Sequence, residues 1–335
     1  MASTLSLPIR DPSHVAEARR RAAALSPGLD ATTAGALALV VTELATNLLK
    51  HAGEGELLVR ALPDGTEVLA LDRGPGIADV ERSLADGYST AGSNGTGLGA
   101  VRRLSAFFDI HSTVGAGTVV LSFVRSGGAS RAGTSASAWQ VGAVSVARPG
   151  EDVCGDDWAI SEDGAALTIL VVDGLGHGSG AGAAARAAVD SFRKDRGLGP
   201  AEMFGGLHRA LRPTRGAAVG LARIDPRRET VAFHGVGNIA GTIFRDGGTR
   251  QVVSLPGIVG HEVRKITEFT YPWSADAVVV LHSDGLRSTS ATPGRLPGLL
   301  ARHPALVAGL LYRDLRRERD DATVVVVRCT RGDPA

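Results

Sequence analysis

Aspartates recur at the ends of apolar runs in the second half of the chain. "VCGDDWAI" carries Asp156 and Asp157, "LTILVVDGLGHG" carries Asp173 and Gly174, "ADAVVVLHSDGL" carries Asp284, and "RDDATVVVVR" places Asp320 and Asp321 just before its run. A single Asp in such a place is ordinarily a turn former. Turns do not require a carboxylate at the mouth of strand after strand, and acids gathered that way make hard oxygen ligands suited to Mg²⁺ or Mn²⁺. The first half offers a different chemistry. Glu43 and Asn47 stand four apart, which puts them on one face of a helix, one turn from each other. In "DRGPGIAD", Asp72 ends an apolar run, and Gly74 and Gly76 follow, so that a carboxylate and bare backbone face one cavity. "GYSTAGSNGTGLG" supplies Gly92, Gly95, Gly97 and Gly99, a loop whose backbone can approach a polyphosphate ahead of a helix. No Lys precedes a Ser or Thr there, which excludes a Walker A loop, and the strand-then-acid context of a dinucleotide fingerprint is absent.

These side chains need elements to hold them. Residues 31–52, "ATTAGALALVVTELATNLLKHA", repeat apolar residues at three- and four-residue spacing and read as one long, largely buried helix. Asn47 lies among Leu44, Leu48 and Leu49, so its amide needs a partner or a ligand. The strand-like runs "GELLVRAL" and "TEVLALD" are joined by the turn "PDGT". A helix over Leu98–Phe107, a strand "DIHSTV", a "GAGT" turn and a strand "TVVLSFVR" complete a pattern of helices on one face of a mostly antiparallel sheet. From Trp139 the pattern turns strand-rich with two helical blocks, one of them "AGAAARAAVDSF", whose small residues suit close packing on a sheet. Between the halves, "SGGASRAGTSASA" has no apolar period. The organisation expected is a first domain over residues 1–125, a flexible linker over 126–138 and a second domain over 139–335.

Composition narrows the partners. With a net charge of +1 and 4% aromatic residues, the chain has neither the basic surface nor the stacking platforms that nucleic acid requires. The N-terminal stretch lacks a signal-peptide core, and no apolar run is expected to approach membrane-spanning length. Cys154 and Cys329 are far apart and outside any CxxC spacing, which disfavours a disulfide framework or a zinc site and suits a reducing cytoplasm.

In this order, the first-half motifs resemble the Bergerat-fold (GHKL) ATPases, which include gyrase, histidine kinases and anti-sigma-factor kinases. Glu43 and Asn47 match the first box of that family, Asp72, Gly74 and Gly76 the second, Gly95, Gly97 and Gly99 the third, and Thr118 the threonine near the adenine. The resemblance implies a site for ATP and Mg²⁺. In it Asp72 accepts from the adenine amino group, Asn47 holds Mg²⁺, Glu43 acts as general base and the glycine loop closes as a lid. "NLLKHAGEGELLV" and "DGYSTAGSNGTGLGAVRRLSAFFDI" are most similar to the small protein-serine kinases of the anti-sigma group, of the RsbT switch-kinase kind.

The order GD…DGLGHG…SDG…DD resembles the PPM-type metal-dependent serine/threonine phosphatases in their SpoIIE and RsbX branch, over residues 139–328. By that resemblance Asp156 binds one metal, Asp173 bridges two, the Gly174 carbonyl contributes, and Asp284 and Asp320 complete the ligands of the other metal. "GDD" leaves Asp156 and Asp157 as alternatives, and the family pattern, with the acid directly after the glycine, favours Asp156. His177 is offset from the histidine of eukaryotic relatives and is expected mainly to shape the turn into the next helix. Asn238 in "GVGNIA" is expected to line the cleft. The implied fold is α+β: a two-layer α/β-sandwich ATPase followed by a four-layer α-β-β-α phosphatase. The implied protein is a cytoplasmic bacterial serine/threonine kinase and phosphatase using ATP, Mg²⁺ and two Mn²⁺ or Mg²⁺. Its expected partners are STAS-domain proteins of a stressosome or sigma-factor partner switch, with a sigma factor or downstream phosphatase beside them, and neither nucleic acid nor membrane. The alternative is a non-catalytic first half, an ATP-dependent module that sequesters a STAS protein or sigma factor, with only the phosphatase turning over.

Overall fold

Alternating and continuous apolar runs sort this chain into sheets, and glycines decide where helices can lie flat on them. A computed structural model describes residues 4–84, 97–127, 137–245, 248–263, 265–289 and 297–330. The chain divides into two compact units at residues 134–135. Of the expected linker, residues 128–136 lie outside the described residues.

The first unit runs β1 (Leu5–Ile9), α1 (Pro12–Leu25), α2 (Ala31–Asn47), β2 (Gly55–Leu62), β3 (Gly65–Leu71), α3 (Val80–Leu84), α4 (Gly97–Leu104), β4 (Phe107–Thr113) and β5 (Gly117–Arg125). Its five strands form an antiparallel sheet in the order β1-β2-β3-β5-β4. Helix α2 starts where the Asp30 carboxylate accepts from the amides of Thr32 and Thr33, both at 3.0 Å, a side-chain cap for donors that the helix cannot use itself. Its stripe Leu37, Val40, Val41, Leu44 packs on Leu57, Val59, Val68, Ala70 and Val120 of the sheet, together with Ala18 and Ala22 of α1 and Val101 of α4. This is the two-layer sandwich expected. The helix Ala31–Ala52 does have the length and mean hydropathy, 1.4, of a membrane span, against expectation. Its apolar stripe is instead spent on the sheet, and its far end carries Glu43 and Asn47.

Two local expectations shift. The long helix changes to a π-helical turn at Leu48–Ala52, immediately after Asn47, and stops at Gly53, whose φ is +82°. The helix expected through Phe107 ends at Leu104. There Ser105 Oγ bonds back to the Val101 carbonyl, and Ala106 N donates to Phe123 O at 2.8 Å, so the chain is already joining the sheet.

The second unit holds two antiparallel sheets. Its elements are β6 (Trp139–Val146), β7 (Asp156–Asp163), β8 (Ala166–Gly174), α5 (Gly178–Lys194), α6 (Pro200–Leu211), β9 (Ala217–Asp225), β10 (Thr230–Val236), β11 (Ala240–Arg245), β12 (Gly248–Gln251), β13 (Phe269–Pro272), β14 (Val278–His282), α7 (Pro297–Leu300), α8 (Pro304–Leu315) and β15 (Ala322–Cys329). One sheet has the order β13-β10-β9-β8-β7 and the other β12-β11-β14-β15-β6. Their facing surfaces bury Trp158, Ile169, Val171, Ile224, Phe233, Val279, Leu281 and Val325. On the outside of the first sheet lie α5 and α6, with Ala184, Ala185, Ala188 and Phe204 buried against Leu170, Val172 and Leu221. Helix α8 covers β6 and β15. It comes so close that a Cβ on Gly142 would stand 2.0 Å from the Ala305 nitrogen. The four layers are those expected.

Candidate nucleotide and metal sites

In the first unit the C-terminal end of α2, the β3–α3 loop and the start of α4 enclose a cavity of about 460 Å³, within the range of small-molecule sites. Leu44, Leu48, Ala70, Ile77, Leu98 and Val120 give it apolar walls, while Asn47, Asp72 and Thr118 supply polar groups. Asn47 Nδ2 is buried with no hydrogen-bond partner among the described residues, so the amide has a donor to give to whatever enters. Gly97, the first residue of α4, closes over the same spot: a Cβ there would stand 2.9 Å from Glu43 Oε2 and 3.5 Å from Asn47 Oδ1. Glu43, Asn47 and Gly97, separated by half the domain in sequence, are thus brought together.

Asp72 Oδ1 accepts from Gly74 N at 2.8 Å and from Thr118 N at 3.2 Å, which orients the carboxylate at the end of β3. Thr118 Oγ1 and Ser112 Oγ share a hydrogen bond of 2.9 Å, and Ser112 Oγ accepts from Ile77 N at 2.7 Å. Gly74 is required because a Cβ would press on Ala52 of the π-turn at 2.7 Å, and Gly76 because its φ is +73° with Thr113 O 2.3 Å from a Cβ. Gly99 is buried within α4. Gly92 and Gly95, with the rest of the expected lid over residues 85–96, lie outside the described residues. Sequence reasoning passed over Gly117 and Ser112. Gly117 has φ +90° and would drive a Cβ to 2.1 Å from Asp72 O; the "GAGT" turn was its only signal. An apolar slot, an oriented carboxylate and an orphaned buried amide fit an adenine nucleotide with its cation.

In the second unit the acids converge from both sheets. Asp156 opens β7 directly opposite Asp173 near the end of β8, and Asp284 follows β14. Asp320 precedes β15. Alternation separates the two candidates in "GDD". Asp156 shares the face of Trp158, which points between the sheets, whereas Asp157 shares the face of Ala159, which packs under α5. Asp156 is 5% exposed and accepts from Ser283 Oγ at 2.6 Å. Burial, followed by the charge of Asp173, holds its carboxyl well above the usual range. Burial and the charges of Asp284 and Asp320 push Asp173 up to about 7. Asp320 is raised by burial and by Asp284.

Among the described residues no three of these carboxylates meet at ligand distance. Like charges packed together repel, and Asp156, Asp173 and Asp320 take up a proton more readily for it. Divalent cations are what such a set of hard oxygens accepts, so the donor chemistry fits Mg²⁺ or Mn²⁺. Asp321 has a different task from its neighbour. At 3% exposure its two oxygens accept from Arg148 N at 2.8 Å and Gly155 N at 3.0 Å, pinning the β6–β7 loop beside Asp156. Gly174 N donates to Gly155 O at 3.0 Å from the other side of that loop. His177 Nδ1 is 2.7 Å from Glu151 Oε1 and sits at the N-cap of α5. Ser283, Asp321 and Arg148 were missed as site residues, although "SDG" and "DD" place two of them beside acids that were singled out. Arg148 had no motif to mark it, yet its charge reaches Asp320 and offsets a small part of the rise that burial and Asp284 cause.

The fold and these two sites define a nucleotide-binding α/β sandwich joined to a four-layer phosphatase sandwich. Residues 163–330 match the family model of Stage II sporulation protein E (SpoIIE), and residues 10–123 match the histidine kinase-like ATPase domain. The chain belongs to the SpoIIE family and joins to that phosphatase domain an N-terminal histidine kinase-like ATPase domain.

Over 84 residues the chain is 38% identical to serine/threonine-protein kinase RsbT of Bacillus subtilis (strain 168), which covers 24% of this chain and 63% of RsbT, under two thirds of that relative's length. Over 140 residues it is 23% identical to phosphoserine phosphatase RsbX of the same organism, covering 42% of this chain and 70% of RsbX. The solved structure of RsbX in complex with magnesium shares the fold at a TM-score of 0.51 and 20% identity, over 57% of this chain and 96% of that one. A chain from the bacterial stressosome, described as a modular system adapted to control secondary messenger signalling, is similar at a TM-score of 0.52 and 31% identity, over 57% and 99%.

Proposed function

We propose that the protein is a bifunctional switch enzyme, an ATP-dependent serine/threonine kinase fused to a metal-dependent phosphoserine/phosphothreonine phosphatase, acting in the cytoplasm on STAS-domain proteins of a partner switch. The domains are read as 1–125 and 139–335 with a linker between. The observation that carries the reading is the acid cluster of the second unit, where Asp156, Asp173, Asp284 and Asp320 come from the ends of strands in both sheets, close enough that burial and neighbouring charge raise the carboxyls of Asp156, Asp173 and Asp320. Bound there, two divalent cations supply Lewis-acid activation of water and neutralise phosphoryl charge. The chain's own residues then have separate tasks. Asp156, Asp173, the Gly174 carbonyl, Asp284 and Asp320 hold the cations. Ser283 orients Asp156, Asp321 fixes the loop beside it, and Arg148 faces the phosphate from the side of Asp320.

In the first unit Asp72, Thr118 and the apolar walls bind the adenine, with Gly74, Gly76, Gly95, Gly97 and Gly99 giving the phosphates and lid their room. Asn47 offers its side chain to the phosphates and their Mg²⁺, and Glu43 takes the proton from the substrate hydroxyl. The name of RsbT supports the kinase assignment and that of RsbX the phosphatase assignment. The test incubates the protein with a STAS-domain substrate, radiolabelled ATP and Mn²⁺, following label onto serine or threonine and then off it. Transfer and release are both expected. Nucleotide binding without transfer would leave the first unit a sequestering module for a STAS protein or sigma factor. Failure to release phosphate from a phosphoserine STAS protein would overturn the phosphatase reading.

A further inference from the structure

Strand β10 belongs to one sheet and β11 to the other, so the chain crosses the sandwich between Val236 and Ala240. It crosses at the acid cluster. Gly237 has φ +93°, and a Cβ there would stand 2.4 Å from the Cβ of Ala218, the register partner of Asp173. On the far side Ala240 pairs with His282, two residues before Asp284. The crossing therefore carries Asn238 between an acid of one sheet and an acid of the other. Its Nδ2 donates to Asp284 Oδ2 at 2.7 Å, and the same side chain lies close enough to Asp173 to favour the charged form of that carboxyl.

We propose that Asn238 is a positioning residue of the phosphatase site, whose amide bridges Asp173 and Asp284, sets the spacing of these two acids and turns their remaining oxygens toward the cations. The inference rests on the metal-dependent phosphatase reading. A neutral donor suits this place, because the cluster already gathers Asp156, Asp173, Asp284 and Asp320 and a further carboxylate would add repulsion. An amide gives two N–H groups from one short side chain, which a hydroxyl or a methyl cannot. Hydrogen bonds to ligating carboxylates orient them, and removing such a partner costs about ten- to a hundredfold in metal affinity.

The experiment compares the full chain with Asn238→Ala and Asn238→Asp by calorimetric Mn²⁺ titration and by the exchange-coupled Mn²⁺ electron paramagnetic resonance signal, which reports metal–metal spacing. Asn238 is exposed, so its truncation spares the core, and Asn238→Ser carries the same test should the alanine variant not fold. Asn238→Ala is expected to weaken Mn²⁺ binding at least about tenfold and to broaden or lose the coupled signal. Asn238→Asp is expected to lower the melting temperature of the metal-free protein at pH 8 and to recover it with Mn²⁺. Asn238→Ala binding Mn²⁺ within twofold of the parent, with the coupled signal unchanged, overturns the proposal. A parent protein that binds no Mn²⁺ overturns instead the metal-site reading beneath it.

Discussion

Replacing Asp173 with Asn is expected to stabilise the metal-free protein at pH 8 while destroying phosphatase activity. The reason lies in the proton. The Asp173 carboxyl rises from 3.8 to about 7 in the folded protein, through burial and the charges of Asp284 and Asp320. Between those values the native state binds a proton that the unfolded chain does not, so stability falls as pH rises from about 4 to about 7 and is then level. A rise of that size amounts to at most about 4 kcal/mol above pH 7, of which a little under 2 is already lost at pH 5. Asn carries no such charge.

The advantage of Asp173→Asn over the parent should therefore grow by about 3 kcal/mol between pH 5 and pH 8, or roughly 6–12 °C in the melting temperature of a domain this size. Buried His234 and His282 have lowered pKa values and act in the opposite sense, losing stability as pH falls below about 6.5, but they are common to both proteins and cancel in the difference. The assay is calorimetric melting in a chelator at the two pH values, followed through the transition of the phosphatase unit, then repeated with Mn²⁺. Excess Mn²⁺ should remove the parent's disadvantage. A gap between variant and parent that stays constant from pH 5 to pH 8 would refute the reasoning, because the charge of Asp173 would then cost the fold nothing.

Asn47→Ala should abolish Mg²⁺-dependent ATP binding, whereas Glu43→Ala should keep nucleotide and lose transfer to the STAS substrate; wild-type transfer by Glu43→Ala would remove Glu43 as base. Gly117→Ala, forcing a Cβ against the Asp72 carbonyl from a φ of +90°, should weaken ATP binding more than tenfold in an equilibrium fluorescence assay and leave phosphatase turnover intact. Asp156→Asn should reduce phosphatase turnover about a hundredfold or more, while Asp157→Asn, on the face under α5, should keep most of it. If Arg148 binds the phosphate as proposed, Arg148→Ala should raise KM for a phosphoserine peptide more than it lowers kcat, since the loop is held through its backbone N–H, which the substitution keeps.

The sequence by itself determined the element types and most of the chemistry. Apolar period told the long helix of Glu43 and Asn47 from the strands around it, and strand-end acids announced the metal chemistry, because burial pattern and turn chemistry act over a few residues and can be read in place. The tertiary structure decided what depends on pairing across distance. Which of Asp156 and Asp157 faces the cluster follows from the direction of β7 relative to α5, a consequence of register with Asp173 that no local spacing encodes. Asp320 and Asp321 look alike in sequence, but only Asp321 finds the amides of Arg148 and Gly155, presented by the loop that leads from the neighbouring strand β6 to β7 of the other sheet. Gly97 meets Glu43, and Asn238 meets Asp173 and Asp284, for the same reason. A side chain's partner is fixed by how sheets stack and where the chain crosses between them, and that is settled only when the whole core is packed.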